Sequence, residues 1–175
     1  MFRIFCFIVF GLLCCIYHTT QTEQSKTAQI SILKEEIRRA ESPLIEQLKD
    51  SLATIYSKSA DDFIANKNYK DAINNLLKAV PLYEATANLN ALSSCYSRLG
   101  SSYYRVSNYE NSQLYYFKSL NLEESLGNKK GIAINLEKIG EIYLLTMDLD
   151  KATINFKQAI EIYKSLNDEK GIIYN

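Results

Sequence analysis

Shifting the chain by 40 residues superimposes its apolar and small positions on one another. Tyr56, Tyr96 and Leu136 coincide, as do Ser59, Leu99 and Ile139, then Ala60, Gly100 and Gly140, then Phe63, Tyr103 and Tyr143. The match continues through Tyr69, Tyr109 and Leu149, Ala72, Ser112 and Ala152, Leu76, Tyr116 and Phe156, and Ala79, Ser119 and Ala159. Fixed-period self-similarity of this length is the mark of a stacked array. Within the third unit, apolar residues at 132, 136, 139, 143 and 144 predict a helix from Ile132 to about Thr146. Asp148 then caps a second helix over about 149–166, with Ala152, Phe156, Ala159, Ile160 and Tyr163 on one face. Asn68 and Asn108 hold the equivalent cap positions. Small residues at 60, 100 and 140 let paired helices approach, and those at 72, 112, 152 and 79, 119, 159 leave room for the bulky residues at 63, 103 and 143. Neither helix of a pair hides its apolar stripe alone, so stacking supplies the core.

Upstream, Ser42-Pro43 marks a helix start, and Leu44, Leu48, Leu52, Ile55, Tyr56 and Phe63 carry one long helix to about Ala65. Before it, Ile30, Leu33 and Ile37 outline a shorter amphipathic helix that would cap the array over residues 23–42. Residues 4–17 are 14 consecutive uncharged residues behind Met-Phe-Arg, short of the roughly 20 that span a bilayer. A basic start, a short apolar run and a polar stretch make residues 1–22 read as a secretory leader, with an uncleaved anchor as the competing account. Leu12-Leu13-Cys14-Cys15 is similar to a bacterial lipobox with Cys15 as the lipidated residue, although Cys14 stands where Gly, Ala or Ser is usual. The expected location is therefore exported: periplasmic or associated with the inner or outer membrane of the cell envelope.

The repeated residues resemble the tetratricopeptide repeat family. Its Leu-Gly-x-x-Tyr appears as Leu99-Gly100…Tyr103 and Ile139-Gly140…Tyr143, and its Ala-x-x-x-Phe as Ala152…Phe156, altered to Ser112…Tyr116 and Ala72…Leu76. The closing Pro is absent, with Glu124 and Lys164 in its place, and the period is 40 rather than 34. That period is similar to the longer class found in bacterial extracytoplasmic sensors. The resemblance implies an all-α fold, an α–α superhelix of three helix pairs plus an N-terminal helix. The array would occupy residues 43–175, with repeats at about 53–92, 93–132 and 133–172 and the start of a fourth at 171–175. Ending inside that unit, without a polar capping helix, the chain reads as a piece of a longer protein; the alternative is a last helix that docks on a partner.

Composition narrows the functional classes. Twenty basic and 20 acidic residues cancel, which argues against a nucleic-acid partner and a polybasic membrane patch. The only His, His18, lies at the edge of the leader, and no Cys-x-x-Cys or phosphate-cradling glycine motif occurs, so neither catalysis nor a metal or other cofactor is expected. Cys95, alone in the body, reads as a small buried hydrophobe. Asp61-Asp62 and Glu123-Glu124 read as solvated surface charge.

Binding a protein or peptide is what remains. The resemblance implies a groove lined by the first helices, which places Thr54, Ser57, Asp61 and Ile64 there from the first unit. The second contributes Ser94, Ser97, Ser101, Tyr104 and Arg105, and the third Ile134, Glu137, Glu141, Leu144 and Leu145. Lys58, Arg98 and Lys138 form a 40-spaced basic column near that face. The column either receives an acidic peptide or is a solvated row paired with Asp61 and Glu141. The family's carboxylate clamp needs Lys and Asn where this chain has Ser57, Ser97, Glu137 and Asp61, Ser101, Glu141, so that mode is not expected. Of the tyrosine cluster, Tyr103, Tyr109 and Tyr116 read as core, leaving Tyr104 and Tyr115 exposed. The last unit, with Ile154, Phe156, Ile160 and Tyr163 and nothing to cover its outer side, is expected to self-associate or to fray there. The function expected is that of a membrane-tethered interaction module, the sensory input of a longer signalling protein such as a sensor histidine kinase or transcriptional regulator. The alternative is an envelope lipoprotein that scaffolds assembly.

Overall fold

A computed structural model describes residues 24–38 and 42–167. Over these residues the chain is seven helices without a strand: α1 (24–38), α2 (Ser42–Ala65), α3 (Tyr69–Ala85), α4 (Leu89–Arg105), α5 (Tyr109–Leu126), α6 (Lys129–Leu145) and α7 (Leu149–Ser165). From α2 onward each packs on the next along the chain, giving three antiparallel pairs, α2/α3, α4/α5 and α6/α7. The fold is the all-α helical-repeat superhelix expected. Leader, lipobox and fourth-repeat readings fall on residues outside those described, whereas α2 begins at Ser42, where the helix start was expected.

Helix starts recur every 20 residues, because each connection is the same turn. Asn68, Asn88, Asn108, Asn128 and Asp148 each accept the amide N–H three residues on. Those bonds saturate an otherwise free donor of the first turn. The residue before each cap lies in the left-handed region: Lys67, Ala87, Ser107, Gly127, Met147 and, after α7, Asn167. Only Gly127 does so without steric cost. The caps at Asn88 and Asn128 were not anticipated. Asn128 is why α6 begins at Lys129 instead of Ile132.

The close approach within a pair is the sharpest packing feature. A methyl on Gly100 would fall 2.8 Å from the Tyr116 ring, and one on Gly140 would fall 2.8 Å from Phe156. The small positions therefore seat the aromatic four residues into the partner helix's Ala/Ser-x-x-x motif. Phe63, Tyr103 and Tyr143 are half-buried. Tyr143 lies under Lys151, whose Nζ is 5.2 Å from its ring centre. The core comprises two clusters. One runs from Leu52 through Ile73, Leu76 and Tyr83 to Tyr96 and Leu99, with Ile30, Leu33 and Ile37 of α1 packed against it. The other runs from Tyr116 and Leu120 through Leu136, Ile139 and Ile142 to Tyr163.

Candidate ligand-binding face

Helices α2, α4 and α6 lie side by side. Arg98 of α4 donates to the Ser57 backbone oxygen of α2 at 2.6 Å and to its hydroxyl at 2.5 Å, and also pairs with Asp61. Asp61 thus bridges to the following repeat and leaves Lys58, which is exposed and makes no ion pair among the described residues. Lys138 pairs within its own helix, with Glu141 at 2.6 Å and Glu137 at 2.9 Å. Burial alone would lower the Lys138 pKa. The bonds from Glu141 and Glu137 outweigh it and hold the ammonium above the ordinary lysine range. Two members of the basic column are therefore committed to carboxylates of this chain.

The other anticipated groove residues divide by exposure. Ser94, Ser101, Arg105, Ile134, Leu144 and Leu145 are exposed, the last two by about half. Thr54, Ser57, Ile64, Ser97, Tyr104, Glu137 and Glu141 are half-buried. The Thr54 hydroxyl lies 3.3 Å from that of Tyr83, Glu137 accepts from the Tyr163 hydroxyl at 3.0 Å, and Tyr104 meets Tyr109 edge-on at 5.8 Å. Tyr115 is not left exposed. It stacks on Tyr103 at 5.5 Å and tilts against Tyr96 at 5.9 Å, and burial pushes its pKa up. Lys118 covers that group from outside. Cys15 lies outside the described residues.

The middle repeat differs from its neighbours in a way that the 40-residue alignment contained. Where the flanking repeats bury Ala53 and Ala133, Ala72 and Ala152, and Ala79 and Ala159, it buries Ser93, Ser112 and Ser119. Ser112 donates to the Gly100 carbonyl at 2.8 Å, at the point of closest approach. Ser119 donates to the Ser93 carbonyl at 3.1 Å and accepts from the Asn135 amide at 3.0 Å. Ser93 in turn donates to Glu123 Oε1 at 2.5 Å. Glu123 folds inward only because residue 131 is glycine: a Cβ there would stand 2.6 Å from Oε2.

Beside this network, α4, α5 and α6 line an open cavity of about 350 Å³, with Ser94, Arg98, Ser119, Glu123, Ile134 and Asn135 in its wall. Three residues of that wall each carry a buried polar atom without a partner among the described residues: Glu123 Oε2, Asn135 Oδ1 and Arg98 Nε. Asn135 is only 2% exposed. The sequence reading placed Glu123 on the solvated surface and did not single out Asn135. Among the described residues no cluster of His, Cys, Asp and Glu could hold a metal ion, and no helix is long and apolar enough to cross a membrane. Cys95 is buried and unbridged, and burial raises its pKa.

Residues 92–165 match the tetratricopeptide repeat family model. Solved structures of similar fold include the tetratricopeptide repeat domain of Arabidopsis FLU (TM-score 0.63, 20% identity, 67% of this chain and 98% of that one). The apo form of RapI aligns with a TM-score of 0.67 at 15% identity, over 86% of this chain and 62% of its own. A signal-transduction ATPase with numerous domains from Pyrococcus horikoshii, which carries a tetratricopeptide repeat sensor, aligns at 0.65 and 20% identity. The alignment covers 86% of this chain but only a quarter (25%) of that much longer protein. No curated protein matches the chain by sequence.

Proposed function

We propose that this chain, whose residues 92–165 match the tetratricopeptide repeat family model, is a peptide-binding module that receives an extended segment of a partner protein along α4 and α6. The observation that carries the reading is the exposed row Ser94, Ser101, Ile134, Leu144 and Leu145 running past the cavity between α4, α5 and α6. Apolar side chains left in water beside a polar recess supply both area and direction for a bound chain. No catalytic step is assigned, and the partner contacts protein surface alone.

The second part of the reading concerns place and role. The uncharged run at residues 4–17 behind Arg3 supports export, and Cys15 offers a lipid attachment point, so the module works in the cell envelope. There it serves as the sensory input of a longer signalling protein; a neighbour of the same fold carries its repeats as a sensor.

Selection from a displayed peptide library against the full chain tests the binding claim. A recovered peptide should bind at least roughly tenfold more weakly to Ile134→Glu and equally well to Leu77→Glu on α3. Failure to recover any peptide, or equal loss in both variants, refutes it. For location, Cys15→Ser should release the protein from the membrane fraction. Retention there would replace the lipid by an uncleaved anchor.

A further inference from the structure

A buried polar atom without a partner costs free energy, and native interiors hold few of them. Three of the four such side-chain atoms among the described residues belong to residues that line one cavity; the fourth, Ser102 Oγ, does not. Another recess, beside Asp50, differs in this respect. Its carboxylate already accepts from Asn88 at 2.8 Å and from Thr86 at 3.5 Å. The cavity at Glu123 is therefore a built site with unmet bonding capacity.

The three atoms define what would satisfy them. Glu123 Oε2 and Asn135 Oδ1 can only accept, since the Asn135 amide nitrogen is occupied by Ser119. Arg98 Nε can only donate, and its other nitrogens are held by Ser57 and Asp61. Two acceptors and one donor are the complement of two N–H groups and one carbonyl. A primary carboxamide carries that set on three heavy atoms. A carboxylate would bring no donor to Glu123. An ammonium would leave Arg98 Nε unpaired and would enter a wall already lined by Arg98 and Lys130. We propose that the cavity between α4, α5 and α6 is a subsite for a primary carboxamide, the side chain of a Gln or Asn in the bound peptide. The subsite deepens the peptide-binding reading and rests on it for the source of the group.

Gly131 supplies a variant that spares the fold. Alanine there improves helix propensity, yet its methyl displaces the flexible end of Glu123 from the wall. The experiment is an amide-shift NMR titration of the full chain with propionamide, propionate and propylammonium to about 100 mM each, since fragments of this size bind weakly. Propionamide should give saturable shifts at residues 123, 131 and 135, propionate none, and Gly131→Ala and Glu123→Gln should each weaken the response at least roughly tenfold. Tighter binding of propylammonium, or no saturable shift at those residues with propionamide, overturns the subsite. N-acetyl-Ala-Gln-Ala-N-methylamide should bind more tightly than propionamide; if it does not, the peptide source is wrong. Peptides recovered by display without Gln or Asn, together with silent propionamide, would end the subsite while leaving the binding module standing.

Discussion

Replacing Gly100 by alanine perturbs the array at its tightest point. The new methyl would sit between 2.8 and 2.9 Å from three carbons of the Tyr116 ring, whereas carbon atoms pack at about 3.5–4.0 Å. The ring would have to retreat by roughly 0.7 Å. It cannot do so freely, because Tyr116 is 4% exposed and seated in the second core cluster. Overpacking of this kind costs about 1–3 kcal/mol, and the better helix propensity of alanine returns about 0.5–1 kcal/mol. A net loss of about 1–2 kcal/mol is expected, visible in the urea midpoint. The first repeat shows the remedy, since it has Ala60 and Leu76 at the equivalent positions, both with no exposed surface. Tyr116→Leu alone opens space and costs about 2 kcal/mol. Combined with Gly100→Ala, it should cost at least about 1 kcal/mol less than the sum. Additivity within about 0.5 kcal/mol would mean that the two positions do not meet and that the pairing register is wrong.

Met147 is 78% exposed and held at a φ of 62°, so Met147→Gly should raise stability by about 0.5–1 kcal/mol in the same assay. Burial pushes the Tyr116 pKa up to about 12 from its ordinary 10.0. The unfolded chain therefore gives up that proton first, and stability present below pH 10 is lost as pH rises towards 12; Tyr116→Phe should flatten this alkaline fall in melting temperature. Arg98→Ala should cost about 2 kcal/mol by removing its bonds to Ser57 and Asp61, whereas Lys58→Ala should stay within about 0.5 kcal/mol.

How much the sequence disclosed depended on whether one residue type carried the message. Helix existence was legible because the apolar stripe recurs with period 40 and needs no knowledge of its partner. The caps at Asn88 and Asn128 were not, because an amide capping a helix looks the same in sequence as an amide on a surface. Gly100 and Gly140 announced a close approach, but a glycine does not name what fills its notch; Tyr116 and Phe156 do so. The basic column was visible as a spacing. Its partners were not, since Asp61 is three residues from Lys58 yet reaches across to Arg98. Glu123 looked like surface charge because the fact that lets it turn inward, an absent side chain at residue 131, lies eight positions away on another helix.

The serines of the middle repeat connect stability to binding. Apolar burial is shared by contact in every direction, whereas hydrogen bonds such as Ser119 to Ser93 fix one geometry and contribute about 1 kcal/mol each. Where the flanking repeats have methyl groups, the middle one has hydroxyls, and the two core clusters are divided along this stretch. The junction gains little area but positions Glu123 and Asn135 to within hydrogen-bond tolerance. A recess assembled from flexible polar groups would lose that arrangement to rotamer freedom unless its support were bonded in turn. The chain Asn135–Ser119–Ser93–Glu123 is that support. The least oily part of the array is thus also the part best suited to hold a polar group in one orientation.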